Sequence, residues 1–181
     1  GKNHEALTLA KGALQHLEIK NNNLLVEEVF EQLLKLSHEI SDHNGTLKYA
    51  NELLKITNLK KTKILAYKYL GHTEAACERF SESIKYYRTI LALEPQDSNL
   101  TSSVLFWIAE ADLSLDNNEE AIESYQRCLD LELENLGPNH INLSETYIGL
   151  GSAFYNLKNY NQALLNFSES LKILQYYMQQ N

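Results

Sequence analysis

The side chains able to do chemistry are few and scattered. His38 and His43 stand five residues apart, but they straddle a predicted helix end, and no cysteine or second acidic group is spaced to complete a metal shell. They read as turn histidines, and no metal is expected. Cys77 and Cys128 fall at interior-looking helix positions. The imidazole near Cys77, that of His72, is five residues away and not at helical spacing, so nothing would lower the thiol pKa and make a nucleophile of it. Both cysteines read as reduced core thiols rather than as a disulfide. The chain has no G-x4-GK-[ST] loop, no H-E-x-x-H and no Gly-rich strand-to-helix turn. Acidic stretches such as Glu119-Glu120 and Asp130, Glu132 and Glu134 are expected as solvated helix faces, not as paired catalytic carboxylates. The sequence therefore offers no catalytic residue and calls for no cofactor.

Composition narrows the classes further. A net charge of −8 and a pI near 5.2 argue against nucleic-acid binding as the main activity, because phosphate contacts need clustered Lys and Arg. No apolar run approaches the ~20 residues of a membrane span, and the N-terminal stretch has no charged-then-apolar signal pattern. An intracellular, cytoplasmic protein without membrane insertion is expected. Two prolines and seven glycines in 181 residues, with few β-branched runs, point to an all-α chain.

Apolar periodicity supplies the elements. Nine helices are predicted, at about 4–20, 24–41, 46–58, 62–77, 80–94, 99–116, 119–136, 140–157 and 160–178. The segment ALLNFSESLKI aligns with AIESYQRCLDL, SIKYYRTILAL, TLKYANELLKI and ALTLAKGALQH. These begin at Ala163, Ala121, Ser83, Thr46 and Ala6, so successive spacings from the N-terminus are 40, 37, 38 and 42 residues. Apolar residues recur at equivalent places: Leu33, Leu70, Ile108 and Leu150 in the first helices, with Ile40, Cys77, Leu115 and Leu157 at their ends. In the second helices Leu47, Ile84, Ile122 and Leu164 match, as do Leu14, Leu54, Leu91, Leu129 and Leu171. Turn chemistry agrees. Gly45 in HNGT is expected in a tight turn, Asp97 or Ser98 as a cap after Pro95, and Asn135-Leu136-Gly137-Pro138 as a helix stop.

The last two helices carry the clearest pattern. Leu150-Gly151 sits mid-helix with Phe154 one turn on, a turn follows at Leu157–Tyr160, and Ala163, Phe167 and Leu171 share one face. Leu-Gly, an aromatic and then Ala-x3-Phe resembles the tetratricopeptide repeat (TPR), whose period is about 34 residues. The 42-residue spacing with LELENLGPNHINLSETY also resembles the kinesin-light-chain-like subclass, with Ile141 where that turn ends in Pro. Elsewhere Ser37, Glu74 and Asp112 stand in the place of Phe154, and Leu34 replaces the small residue, so looser packing is expected there. The resemblance implies a right-handed superhelical α-solenoid of antiparallel helix pairs: a half repeat at 4–20 and repeats at 24–58, 62–94, 99–136 and 140–178. It reads as one domain, 1–181, cut from a longer protein or packing an end on another subunit, because both terminal helices stay apolar on an uncovered face.

For such a family the implied activity is a non-catalytic scaffold or adaptor holding a partner peptide or helix in the concave groove of the first helices. By register the groove positions are Gln32, Lys35, Lys68, Tyr69, His72, Phe106, Trp107, Glu110, Ile148, Ser152 and Tyr155. Tyr69, Phe106 and Trp107 read either as interface anchors or as packing. Lys35, Lys68 and His72, with Lys60, Lys61 and Lys63, form a basic stretch that either meets an acidic partner or is a solvated face. The Asn members of the chaperone-binding clamp are missing, so that specialised activity is not implied. Two other readings are a peptide-sensing domain of a larger signalling or transcription regulator, and an oligomerisation module acting through the repeat ends.

Overall fold

The computed structural model describes residues 8–10, 12, 23–93 and 96–180. Among these, eight helices follow one another without an intervening strand: α1 (Asn23–Glu39), α2 (His43–Ile56), α3 (Lys60–Ala76), α4 (Phe80–Leu93), α5 (Ser98–Ser114), α6 (Asn118–Leu136), α7 (Asn142–Asn156) and α8 (Tyr160–Gln180). The predicted helix at 4–20, with Leu14, lies almost entirely outside the described residues; 8–10 and Gly12 are helical. Contacts divide the chain into two compact units, Gly1–Tyr86 and Tyr87–Asn181.

In the first unit α1 pairs with α2, and α3 packs on both. Phe30, Leu33, Leu34, Tyr49, Leu53 and Leu70 form its core. Leu34 is fully buried, so the large residue at the small-residue position is accommodated rather than excluded. In the second unit α5 pairs with α6, α6 packs on α7, and α7 pairs with α8. There Tyr125, Leu143, Leu150, Ala153 and Ile173 make the core. Each fully buried Leu or Ile contributes roughly 1.5–3 kcal/mol of transfer free energy.

Close approach in the second unit depends on two glycines of α7. A Cβ on Gly149 would lie 2.3 Å from the Tyr125 ring, and one on Gly151 would lie 2.5 Å from the Phe167 ring. Gly151 was legible in the sequence; Gly149, which admits the aromatic of the preceding hairpin, was not.

One turn geometry closes all four described hairpins. Ser41, Glu78, Asp116 and Lys158 have φ of 58, 60, 60 and 61°, left-handed values that favour glycine. The N–H of the next residue then reaches back five positions: Asp42 to Ser37 O at 2.8 Å, Arg79 to Glu74 O at 2.8 Å, Asn117 to Asp112 O at 2.9 Å and Asn159 to Phe154 O at 2.9 Å. This is the Schellman helix stop made without glycine. Ser37, Glu74, Asp112 and Phe154, which align in the sequence, are thus the residues whose carbonyls close the turn. Two of the polar ones also tie it with their side chains. The Glu74 carboxylate accepts from Arg79 Nε, and Asp112 Oδ1 accepts from Asn117 Nδ2 at 3.2 Å. Those side chains tie the turn, a role the expectation of looser packing did not include.

Gly45 also departs from expectation. It lies inside the first turn of α2, and Gly137 is the glycine with positive φ among those described. Asp42 caps α2 by accepting from Gly45 N at 2.9 Å, and a Cβ on Gly45 would strike that carboxylate at 2.2 Å. Gly45 therefore makes room for the cap, and the helix starts three residues earlier than its predicted start at 46. Asp97 caps α5 through Leu100 N at 3.0 Å.

The matched apolar positions of the second helices fare differently along the chain. Leu129 is buried, whereas its counterpart Leu171 on α8 is 55 % exposed and Leu164 is exposed as well. The buried seam of α8 is Ala163, Ser170 and Ile173, so Leu171 does not share the covered face with Ala163. Leu115 and Leu157 are exposed at their helix ends.

Candidate functional site

Among the described residues, each unit has a cleft along its first helices. In the first unit a cleft of about 590 Å³ opens between α1 and α3, lined by Glu27, Glu28, Glu31 and Lys35 on one side and Lys61, Thr62, Ile64, Leu65 and Lys68 on the other, with Leu59 at its end. Helical spacing aims these residues: Glu28, Glu31 and Lys35 recur at three- and four-residue steps, as do Lys61, Leu65 and Lys68. Thr57 Oγ1 donates to Glu27 Oε2 and Thr62 Oγ1 to Glu31 Oε1, both at 3.1 Å, which fixes two of the carboxylates.

Lys35 and Lys68, both predicted groove residues, meet in this cleft. The charge expected around them does not. Glu27, Glu28 and Glu31 share α1 with Lys35 and stand across from Lys61 and Lys68, so the lining is balanced rather than basic. The basic stretch read from the sequence counted the lysines of both helices and left out the glutamates of α1 that share the cleft with them. Gln32 is exposed in a second depression beside Glu28, Val29 and Glu31.

Tyr69 and His72 gather with His38 near the C-terminal end of α1. The His38 ring stands edge-on to Tyr69 at 4.8 Å and lies 6.4 Å from the His72 ring. Burial, followed by the Lys68 and His38 charges, pushes His72 down to about 4. Burial and then His43 lower His38, so burial favours the neutral form of both imidazoles, and His38 packs on the Tyr69 phenol. Among the described residues no group of three His, Cys, Asp or Glu side chains could hold a metal ion.

The second unit presents a smaller cleft of about 190 Å³ between α5 and α7, lined by Ser103, Phe106, Trp107, Glu132, Asn142 and Glu145. Phe106 and Trp107 were expected there. Each ring is held by core aromatics: Trp107 lies 5.4 Å from Tyr87, and Phe106 stands edge-on to Tyr125 at 5.8 Å. Their packing and cleft-lining roles coexist. Glu132, read from the sequence as part of a solvated acidic face, is only 7 % exposed. Its Oε2 accepts from Thr146 Oγ1 at 2.7 Å, and burial, the largest effect on it, raises its pKa. Neighbouring Cys128 is pushed up to about 12, first by burial and then by the Glu132 charge, so it stays a thiol. Both cysteines are free.

Glu110 is exposed, and its carboxylate accepts from the buried Tyr125 hydroxyl. Burial and then Glu110 push that phenol well above its ordinary range. Glu110 thus anchors α6 as well as bearing charge. Ile148, Ser152 and Tyr155 follow one another up α7. Ile148 and Tyr155 are exposed, Ser152 is half-buried with its hydroxyl donating to Ile148 O at 2.9 Å, and Tyr155 meets Tyr160 edge-on at 5.6 Å. They form a strip on α7 and do not line the aromatic cleft.

A family model described as tetratricopeptide repeat matches residues 100–175. That segment carries the tetratricopeptide-repeat pattern. No curated protein matches the chain by sequence. Solved TPR-like structures extend the likeness over the rest of the chain. Putative kinesin light chain TPR-like repeats from Podosopora anserina superpose with a TM-score of 0.82 at 13 % identity, over 100 % of this chain and 90 % of theirs. The apo form of RapI gives a TM-score of 0.87 at 15 % identity, over 99 % of this chain and 66 % of RapI. MamA gives 0.76 at 17 % identity, over 99 % and 92 %. At these identities the likeness is one of fold: an all-α solenoid of antiparallel TPR helix pairs. No described helix is long and apolar enough to cross a membrane.

Proposed function

We propose that the protein is a non-catalytic interaction scaffold that holds a segment of a partner protein along the first helices of its TPR pairs. The observation that carries this is the clefts themselves. Each lies between successive first helices, α1 with α3 and α5 with α7, and together they contain Lys35, Lys68, Phe106 and Trp107. Concave, mixed-polarity surfaces with a few held aromatics suit recognition of an extended or helical peptide. Rings already fixed by Tyr87 and Tyr125 lose little freedom on binding. The balanced Glu and Lys wall of the first cleft favours a partner segment of alternating charge over a purely acidic one.

The test is affinity capture from the native source with wild type beside a Trp107→Ala/Tyr69→Ala double variant, with helicity checked by circular dichroism. Loss of the captured partner at unchanged helicity supports the reading. Equal capture by both proteins refutes it.

One observation favours a second reading, self-association or stacking of a further helical pair. On α8 the exposed Leu164, Leu165, Leu171 and Met178 occupy an uncovered apolar face. A molecular mass that rises with concentration, and stays monomeric after Leu164→Lys/Leu171→Lys, is the expected result if copies meet there.

A further inference from the structure

The cleft of the second unit carries a more specific assignment, which rests on the scaffold reading and deepens it. Two of its six lining residues are aromatic, two are glutamates, and none is Lys or Arg. The first unit's cleft, by contrast, sets three lysines against three glutamates. Among the described residues neither Glu132 nor Glu145 enters an ion pair. Burial works against the Glu132 carboxylate and Glu145 repels it, and together they outweigh the Thr146 and Cys128 hydrogen bonds and the smaller effect of His140. A carboxylate more than nine-tenths buried, beside a second one and without a cation in contact, is an arrangement that an incoming cation improves. The indole and phenyl faces are fixed by Tyr87 and Tyr125, and a π face near carboxylates is how proteins bind guanidinium and ammonium groups.

We propose that this cleft receives a cationic side chain, arginine or lysine, from the bound partner peptide, with Trp107 and Phe106 against its face or stem and Glu132 and Glu145 neutralising its charge. Ser103 on α5 and Asn142 on α7 also line the cleft and can take the remaining N–H donors. The site selects the residue type of the partner at one position. The balanced first cleft cannot make that selection.

Trp107 is the single tryptophan of the chain, so its fluorescence reports on this cleft directly. A random-sequence peptide library is selected on the intact protein. The strongest binder is then synthesised beside an analogue in which each arginine is replaced by neutral citrulline and each lysine by norleucine. Selected sequences should share a basic position, and its neutral analogue should bind about tenfold or more weakly. Glu145→Gln should weaken the parent peptide similarly and leave the analogue nearly unaffected, and raised salt should weaken the parent alone. Glu132→Gln should act in the same direction; should that buried change unfold the chain, Glu145→Gln decides. Binders that need Trp107 yet tolerate the neutral replacement overturn the cation assignment and leave the scaffold reading standing. Binders indifferent to both clefts, or a library yielding none, overturn both.

Discussion

The two units solve the same packing problem with different side chains. Both close their hairpins through a left-handed residue, Ser41 and Glu78 in the first, Asp116 and Lys158 in the second. The first unit fills the space between helices with Leu33, Leu34 and Leu70. The second draws helices together over Gly149 and Gly151 and seats Tyr125 and Phe167 against them. The family pattern matches only residues 100–175, whereas solved TPR structures match essentially the whole chain. The difference teaches that the recognisable signature marks close approach through small residues, while the fold needs only the apolar seam and the turn.

Large-to-small changes in that seam should show the shared dependence most strongly. Leu70→Ala and Leu150→Ala, one in each unit and both essentially fully buried, should each cost about 2–5 kcal/mol in urea denaturation. A value under about 1 kcal/mol for Leu70 alone would mean that the first unit does not rely on the seam.

Gly149→Ala sharpens the contrast between the two packing modes. The new methyl meets the Tyr125 ring, which is itself buried and bonded to Glu110, so a loss of roughly 1–3 kcal/mol is expected. Gly12→Ala, with nothing near its Cβ, should be neutral or stabilise by up to about 1 kcal/mol. Thermal unfolding of both variants checks the pair.

Acid should separate the units as well. His72 in the first unit has a folded pKa lowered to about 4 from 6.5, so the unfolded chain binds the proton first. Its contribution is present above about pH 6.5 and is lost as pH falls toward 4. Allowing for solvent screening of a half-buried group, the effect is at most ~2 kcal/mol. Asp112 and Glu132 in the second unit have raised pKa values, mainly from burial, and act in the opposite sense, favouring the folded state as pH falls. Comparing wild type with His72→Gln across that range cancels their part. The variant should lose less stability on acidification, and parallel curves would remove His72 from the account.

The smallest effect belongs to the turn. Asp116→Gly and Lys158→Gly relieve a left-handed side chain and should each stabilise by a few tenths to about 1 kcal/mol in the same denaturation assay.

The eight described helices and most of their ends were legible because the seam repeats at matched spacings, and their predicted ends fall within a few residues of those found. The turn at Leu157–Tyr160 was legible, but the left-handed geometry it shares with the other hairpins was not, because Ser41, Glu78, Asp116 and Lys158 carry no glycine to announce it. Gly45 departs from its tight-turn expectation for a related reason: a glycine can serve space, here for the Asp42 cap, as well as φ. At the site, Lys35, Lys68, Phe106 and Trp107 came from carrying the family's groove positions over by register, and each lines one of the clefts. Glu132 and Glu145 were not legible, since their placement depends on which face of α6 and α7 the cleft exposes, and charge composition predicts solvated carboxylates there.

The central claim, that a partner segment lies along the first helices, is tested most directly by chemical-shift mapping of the isotope-labelled protein with a library-selected peptide. The account predicts that the perturbed signals cluster on Lys35, Lys68, Phe106, Trp107 and Glu145. Perturbations centred instead on exposed second-helix residues such as Asn51, Lys85 and Arg127 would contradict it.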